Sequence, residues 1–308
     1  MPLNRTDRVA VCSRSFSLNA TLRGELLERF ANVTFNDAGV KLEGSRLVAF
    51  LRGHEQAIIG LEQITDEILS ELPELRVISK YGVGLDMIDV AAIRSRGKRL
   101  GWVGGVNRRS VAELALSFAI SMLHGVTTAN REVLNGRWRQ LQGGQLSGRT
   151  VGIIGCGNIG KDLVQLLKPF ACPILVHDIR DYPAFYAEHD VTPVALEPLL
   201  AAADVVTLHV PLDASTRGML DRRRLSLMRK SAILVNTARG GLVDEAAVRE
   251  MLSDGGLAGA AFDVFDSEPP DDQALLSLPN FLGTPHIGGS AIEAVLAMGR
   301  SAIEQLDR

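Results

Sequence analysis

Three polar clusters stand directly behind apolar runs in the last third of this 308-residue chain, and their residue types could do chemistry together. Asn236-Thr237-Ala238-Arg239-Gly240-Gly241 follows one run. Asp263 lies in a second, five residues before Glu268-Pro269-Pro270, and Thr284-Pro285-His286-Ile287-Gly288-Gly289 follows a third. A guanidinium can hold a carboxylate in two parallel hydrogen bonds and polarise the adjacent carbonyl, which makes Arg239 the candidate substrate anchor. An imidazole changes protonation near neutral pH, so His286 is the candidate acid and base, with Glu268 as the carboxylate that stabilises its charged form. The set suits reduction of a 2-keto acid and the reverse oxidation. Taken singly, each residue has a plainer reading: a surface ion pair, a structural histidine, a turn. Their succession at three strand ends favours the joint one, because ligands of doubly wound sheets bind beyond the carboxyl ends of the strands.

These clusters need a redox partner, and the stretch Thr150 to Asp178 supplies a site for one. An apolar run, Val151 to Ile154, reads as a buried parallel strand. Gly155, Gly157 and Gly160 follow, then an amphipathic run from Lys161 to Phe170 and a second apolar run, Ile174 to His177, ending at Asp178. Gly155 permits a tight turn, Gly157 lets main chain approach a pyrophosphate, and Gly160 lets the helix pack closely on the strand. The helix N-terminus then offers free N–H groups and its positive dipole end to the phosphates. Asp178 would accept the hydroxyls of an adenosine ribose and repel a 2′-phosphate, so NAD is expected over NADP, with Arg180 near enough to soften that choice. His209 and Pro211, behind the run Val205 to His209, are candidate lining of the same cleft, and Thr237, Ala238 and Gly288 are candidate cofactor contacts.

The rest of the chain must position these groups. Short apolar runs at Arg8 to Ser13, Ala57 to Gly60, Arg76 to Ser79 and Arg99 to Val103 alternate with helical stretches at Thr21 to Phe30, Gly44 to Gly53, Thr65 to Leu72 and Asp89 to Ser95, the pattern of parallel βαβ units. Tyr81 to Asp89 carries Gly82 and Gly84, which allow main-chain N–H groups to face an anion; Asp86 and Asp89 have capping the next helix as their alternative role. Ser110 is expected to cap a long, deeply buried helix, with Glu113 completing a capping box, and a second helix is expected over Thr128 to Asn135. After Asp178, strands at Val205 to His209, Ala232 to Asn236, Ala258 to Val264 and Phe281 to Gly283 bring that sheet to about six. Helices are expected at Ala195 to Ala203, Asp221 to Met228, Glu245 to Ser253 and Ser290 to Gln305. A 46% apolar chain of this length fits two domains, and a net charge of −3 gives no basic footprint for nucleic acid. Three scattered cysteines argue against a disulfide framework or a metal site and fit a reducing compartment. No run of eighteen apolar residues and no export-type N-terminus is present, so no membrane partner and a cytoplasmic location are expected.

From about Ala57 onward the motifs RSVAEL, GxGxxG, LHVPLDAST, NTARGGLVDE, GAAFDVFDSEPP and TPHIGGS resemble those of the D-isomer-specific 2-hydroxyacid dehydrogenases, most nearly their D-3-phosphoglycerate dehydrogenase branch. The resemblance implies that Arg239, Glu268 and His286 are catalytic. It implies Asp263 beside the nicotinamide, Asn158 and Ile159 on the pyrophosphate, and Val83 and Gly84 on the substrate carboxylate. It also implies a Rossmann NAD-binding domain, 104–285, inserted in a flavodoxin-like substrate domain made of 1–103 and 286–308, and a homodimer formed through the helix after Ser110. One departure bears on the substrate. The animal-type phosphoglycerate dehydrogenases carry an Arg-Ser pair where this chain has IIGLEQIT, which puts a phosphorylated substrate in doubt and leaves Arg52, Lys80, Arg108 and Arg109 as candidates for that role. A phosphite dehydrogenase activity, and an NAD-sensing binding protein of the corepressor kind, are the alternatives.

Overall fold

The computed structural model describes residues 5–307. The chain divides into two compact units: one runs to Asn107 and resumes at Ala291, and the other is Arg108–Ser290. The junctions thus lie after Asn107 and Ser290 rather than after Val103 and before His286. The turn that carries His286 is bonded to the second unit through Asp263, as described below.

The first unit is built on β1 (Arg5–Val11), β2 (Phe30–Phe35), β3 (Gln56–Ile59), β4 (Val77–Lys80) and β5 (Arg99–Gly101). All four pairings are parallel, in the order β2-β1-β3-β4-β5, which is the flavodoxin-like arrangement. Strand β2 adds to the four strands that the sequence pattern marks in this unit. The helix before it stops at Leu27 instead of Phe30, and in FANVTF only Phe30 is fully buried, because β2 is an edge strand with little apolar patterning to reveal it. One face of the sheet packs Leu47, Leu51, Ile59, Ile78 and Ile93; the other packs Phe16, Leu22 and Phe30 with Met298, Ile303 and Leu306 of the final helix. That helix, Ile292–Leu306, buries Ala294, Met298, Ala302 and Leu306 as one stripe at four-residue spacing. Ser79 Oγ donates to Ala302 O at 2.7 Å, and Gly101 lies so close that an added Cβ would sit 2.6 Å from Gln305 Cβ.

The second unit holds β6 (Val151–Ile154), β7 (Ile174–His177), β8 (Val191–Pro193), β9 (Val205–Leu208), β10 (Ile233–Asn236), β11 (Gly259–Phe262) and β12 (Phe281–Gly283). They form one parallel sheet of order β12-β11-β10-β9-β6-β7-β8, the Rossmann order extended by a seventh strand. The extra strand relative to the expected six is β8, a three-residue edge segment ending in proline, which no periodicity argument detects. Strands β6, β9, β10 and β11 are buried at every position, as a sheet covered on both faces requires. The long helix starts at Arg108, so Ser110 lies inside its first turn and is not its cap; its hydroxyl donates instead to Gly288 O at 2.6 Å. Among the described residues no single helix is long and apolar enough to cross a membrane.

Gly101→Ala should lower the free energy of unfolding by about 1–3 kcal/mol, the usual cost of overpacking, because neither β5 nor the helix can retreat without breaking its own contacts. Denaturant unfolding measures this; an unchanged midpoint would show that the final helix is not seated against β5 as described.

Candidate active site

The glycine turn after β6 sits where strand order reverses, with β7 on one side and β9 on the other. Gly155 adopts φ of 100°, and a Cβ there would lie 2.7 Å from His209 O at the end of β9. A Cβ at Gly160 would run into the Gly155 carbonyl oxygen, which fixes the helix Asn158–Leu167 tightly on the turn. Gly157 is different: nothing lies within 4 Å of a Cβ built on it, and no side chain caps the helix it starts. The first N–H groups of that helix are therefore presented to an outside acceptor. Asn158 is exposed, while Ile159 packs on the core between sheet and helices. Asp178, half-buried, closes the turn. Its Oδ2 accepts Cys156 N at 2.6 Å and its Oδ1 accepts Arg180 N at 2.8 Å, which leaves one further lone pair on each oxygen for a ligand hydroxyl.

At the end of β9, His209 Nε2 lies 3.0 Å from Thr207 Oγ1, and burial pushes its pKa down to about 3, so this imidazole is neutral. Two buried polar atoms at adjacent strand ends, His209 Nδ1 and Thr237 Oγ1, have no hydrogen-bond partner among the described residues. Orphaned polar atoms beside an open glycine and an uncapped helix fit a polar ligand along these strand ends. Pro211 is exposed, and its carbonyl accepts Thr216 Oγ1 at 2.7 Å.

The register Asn236↔Phe262↔Gly283 delivers the next three loops to the same edge. Asn236 shapes the first. Its Nδ2 donates to Arg239 O at 2.8 Å and its Oδ1 accepts Ala238 N at 3.1 Å, so the main chain curls and Arg239 leaves it half-exposed, with Nη1 donating to Ala238 O at 2.7 Å. Gly240 packs against the carbonyl of Phe265, where any side chain would collide, and this joins the arginine loop to the loop that carries Glu268. Glu268 Oε1 accepts Phe265 N at 3.2 Å. His286 Nδ1 lies 2.9 Å from Glu268 Oε2, with the two side chains 47% and 41% exposed. Donation from Nδ1 to the carboxylate leaves Nε2 as the ring nitrogen open to solvent chemistry.

Asp263 does not lie in β11, which ends at Phe262, and its carboxylate is not presented outward. It is 1% exposed; Oδ1 accepts Thr284 Oγ1 at 2.5 Å and Ile287 N at 2.7 Å, and Oδ2 accepts Gly288 N at 2.7 Å. The residue expected beside the nicotinamide also anchors the histidine turn from within. Gly288, expected to contact cofactor, spends its N–H on Asp263 and its carbonyl on Ser110. A buried aspartate inside GAAFDVF was the available sign, since a carboxylate there must find several donors.

In the first unit, Val83 is half-buried and its carbonyl accepts Trp102 Nε1 at 2.9 Å, while Gly82 supplies the φ of 126° that turns the chain before Gly84. Asp89 caps the helix Val90–Ser95, its Oδ1 accepting Ala92 N at 2.8 Å. Of the candidate phosphate-binding cations, Lys80 is 4% exposed and donates to Gly60 O and, at 3.3 Å, to Met87 Sδ. In the second unit Arg109 is ion-paired to Asp162 at 2.9 Å. Arg52 faces Glu71 at 3.8 Å, and Arg108 stands at the start of the long helix.

Residues 116–288 match the family model described as the NAD-binding domain of the D-isomer-specific 2-hydroxyacid dehydrogenases. A D-3-phosphoglycerate dehydrogenase of Methanocaldococcus jannaschii is 38% identical over 250 residues, covering 80% of this chain and 48% of that enzyme, so the chain spans about half of that relative's length. A hydroxypyruvate reductase of Thermotoga maritima is 35% identical over 253 residues, covering 79% and 80% of the two chains. A solved structure from Polaromonas sp. JS6 66, titled as a D-isomer-specific 2-hydroxyacid dehydrogenase, superposes with a TM-score of 0.90 at 30% identity, covering 98% of this chain and 96% of the other.

Two substitutions separate the glycine roles. Gly157→Ala should keep wild-type stability and weaken NADH binding by about tenfold or more, since one lost charge-assisted hydrogen bond costs roughly 1.5–3 kcal/mol, whereas Gly160→Ala should unfold more readily; fluorescence titration with thermal melts checks both. For His209 the folded pKa of about 3 lies below the ordinary 6.5. The unfolded chain binds the extra proton between those values, so this stabilisation is complete above pH 6.5 and is lost as pH falls toward 3. His209→Gln should therefore lose about 1–3 kcal/mol less than wild type between pH 7 and pH 4, measured by urea unfolding at both; equal losses would refute the assignment.

Proposed function

The chain belongs to the D-isomer-specific 2-hydroxyacid dehydrogenases, and we propose that it interconverts a short, unphosphorylated D-2-hydroxy acid and its 2-keto acid with NAD. The observation that carries this reading is the 2.9 Å contact of His286 Nδ1 with Glu268 Oε2 on the sheet edge that also presents Arg239. Bound NADH supplies the hydride received by the keto carbon. Arg239 holds the acid's carboxylate through its paired N–H groups and draws charge from the neighbouring carbonyl. His286 Nε2 delivers the proton that the new hydroxyl needs, and Glu268 steadies the imidazolium through Nδ1; in oxidation the same nitrogen removes the hydroxyl proton. The glycine turn, the first turn of the helix Asn158–Leu167, His209, Pro211, Thr237 and Ala238 are the proposed cofactor contacts, with Asp178 on the ribose hydroxyls favouring NAD. The first unit is the proposed substrate domain, its Tyr81–Gly84 turn offering main-chain N–H groups of Val83 and Gly84 to a carboxylate.

The preference for an unphosphorylated acid is supported by the commitments of three of the four candidate cations. Lys80 is buried under its own loop, and Arg109 and Arg52 face carboxylates. A cytoplasmic homodimer completes the reading, supported by three unbridged cysteines and by the exposed apolar residues Val126, Val133, Leu134 and Trp138.

A panel of glyoxylate, hydroxypyruvate, pyruvate and phosphohydroxypyruvate followed by NADH oxidation tests this reading. Turnover is expected with an unphosphorylated acid. His286→Ala should cut kcat about 100- to 10,000-fold, and Arg239→Ala should cut kcat/KM by about 100-fold or more through the loss of two charge-assisted bonds. Full activity in the double variant would end the proposal, and a preference for the phosphorylated acid would correct the substrate class.

A further inference from the structure

Glu245 lies outside the three residues assigned to the chemistry, yet its carboxylate is bonded into their support. It is the first residue of the helix Glu245–Asp254, which is capped separately by Asp244 through Ala247 N at 2.9 Å. Glu245 is therefore not needed as a cap. Its Oε1 instead accepts Asp266 N at 2.8 Å. The preceding N–H, that of Phe265, is the one that donates to Glu268 Oε1 at 3.2 Å, and Glu268 holds His286 Nδ1 through Oε2 at 2.9 Å. Two successive N–H groups of one turn are thus claimed by two carboxylates, one from the helix that follows the arginine loop and one from the catalytic pair. The same turn is pressed from the other side by Gly240, and a Cβ on Gly241 would lie 3.0 Å from Asp266 Oδ1 and from Arg217 Nη1.

The site holds this carboxylate against its own electrostatic preference. Burial raises the pKa of Glu245, and Asp266, Asp272 and Asp271 add to that, while the bond from Asp266 N opposes it. The nearest compensating cation on its helix, Arg249, is bonded to Asp272 Oδ2 at 2.7 Å. A half-buried glutamate among three aspartates is costly for stability, and the hydrogen bond from Asp266 N offsets part of that cost.

We propose that Glu245 is a positioning residue for the reaction above: by holding the Phe265–Asp266 turn it fixes Glu268 against His286. The inference rests on the dehydrogenase reading and is tested so that the two can fail separately. In the cofactor-free protein, hydrogen exchange at the Phe265 and Asp266 amides should be about tenfold faster in Glu245→Ala, the effect of losing roughly 1.4 kcal/mol of local protection. Glu245→Gln keeps an acceptor oxygen, removes a charge from the aspartate group, and should hold both amides near wild type. With the best keto acid, kcat should fall about tenfold in Glu245→Ala and recover in Glu245→Gln, with the NADH dissociation constant unchanged in both. In a Glu268→Gln background Glu245→Ala should cost little more, since both losses act through one contact. Unchanged amide exchange, additive losses with Glu268→Gln, or a glutamine variant as impaired as the alanine one would each overturn the proposal. A protein that turns over no 2-keto acid would instead remove the dehydrogenase reading, with the amide exchange still deciding whether Glu245 holds the turn.

Discussion

One buried carboxylate, Asp263, carries the geometry on which the proposed chemistry rests. A charge that is 1% exposed would be prohibitively unfavourable without partners, and three donors of the segment Thr284–Gly288 supply them at 2.5–2.7 Å. The main chain reinforces this, with Asp263 N donating to Asn236 O and His286 N to Asp263 O, both at 2.9 Å. Held at so many points, His286 adopts φ of 56°, a left-handed conformation that a non-glycine residue keeps only where its surroundings over-determine it. That unusual backbone is what aims the imidazole back at Glu268.

Parallel-sheet topology does the rest. Because β10, β11 and β12 run side by side in register, three loops far apart in sequence emerge at one edge, and the missing side chain of Gly240 lets two of them touch. The glycine turn between β6 and its helix lies further along the same edge, where the order of strands reverses. Each functional residue is thus placed by a strand end, and each loop is stiffened by a polar side chain bonded within the protein: Asn236 for the arginine, Asp263 for the histidine, Glu245 for the glutamate.

Much of this was readable in the residues. The strand, glycine turn, helix and terminal Asp178 of the dinucleotide motif stand where local pattern puts them, because glycine spacing and a run of buried aliphatics are strong, short-range signals. Two of the four edge strands escape such signals: β2 and β8 each bury only their first residue, so neither alternation nor a continuous apolar run marks them. Ser110 and Glu113 imitate a capping box, whereas the long helix starts at Arg108 and the serine hydroxyl is drawn to the distant Gly288 carbonyl. The anchoring role of Asp263 is hidden from the sequence for a related reason: its partners come from a segment twenty or so residues away, and no periodicity reports a tertiary bond.

The account's central claim is that Asp263 acts by holding the histidine turn. Measuring kcat/KM and NADH affinity of Asp263→Asn tests it most directly, since the amide keeps the volume of the carboxylate but cannot accept three hydrogen bonds. The account predicts NADH binding close to wild type with kcat/KM reduced about 100-fold, the scale of a displacement of roughly 1 Å at the reacting group. A variant that keeps its full kcat/KM would contradict it.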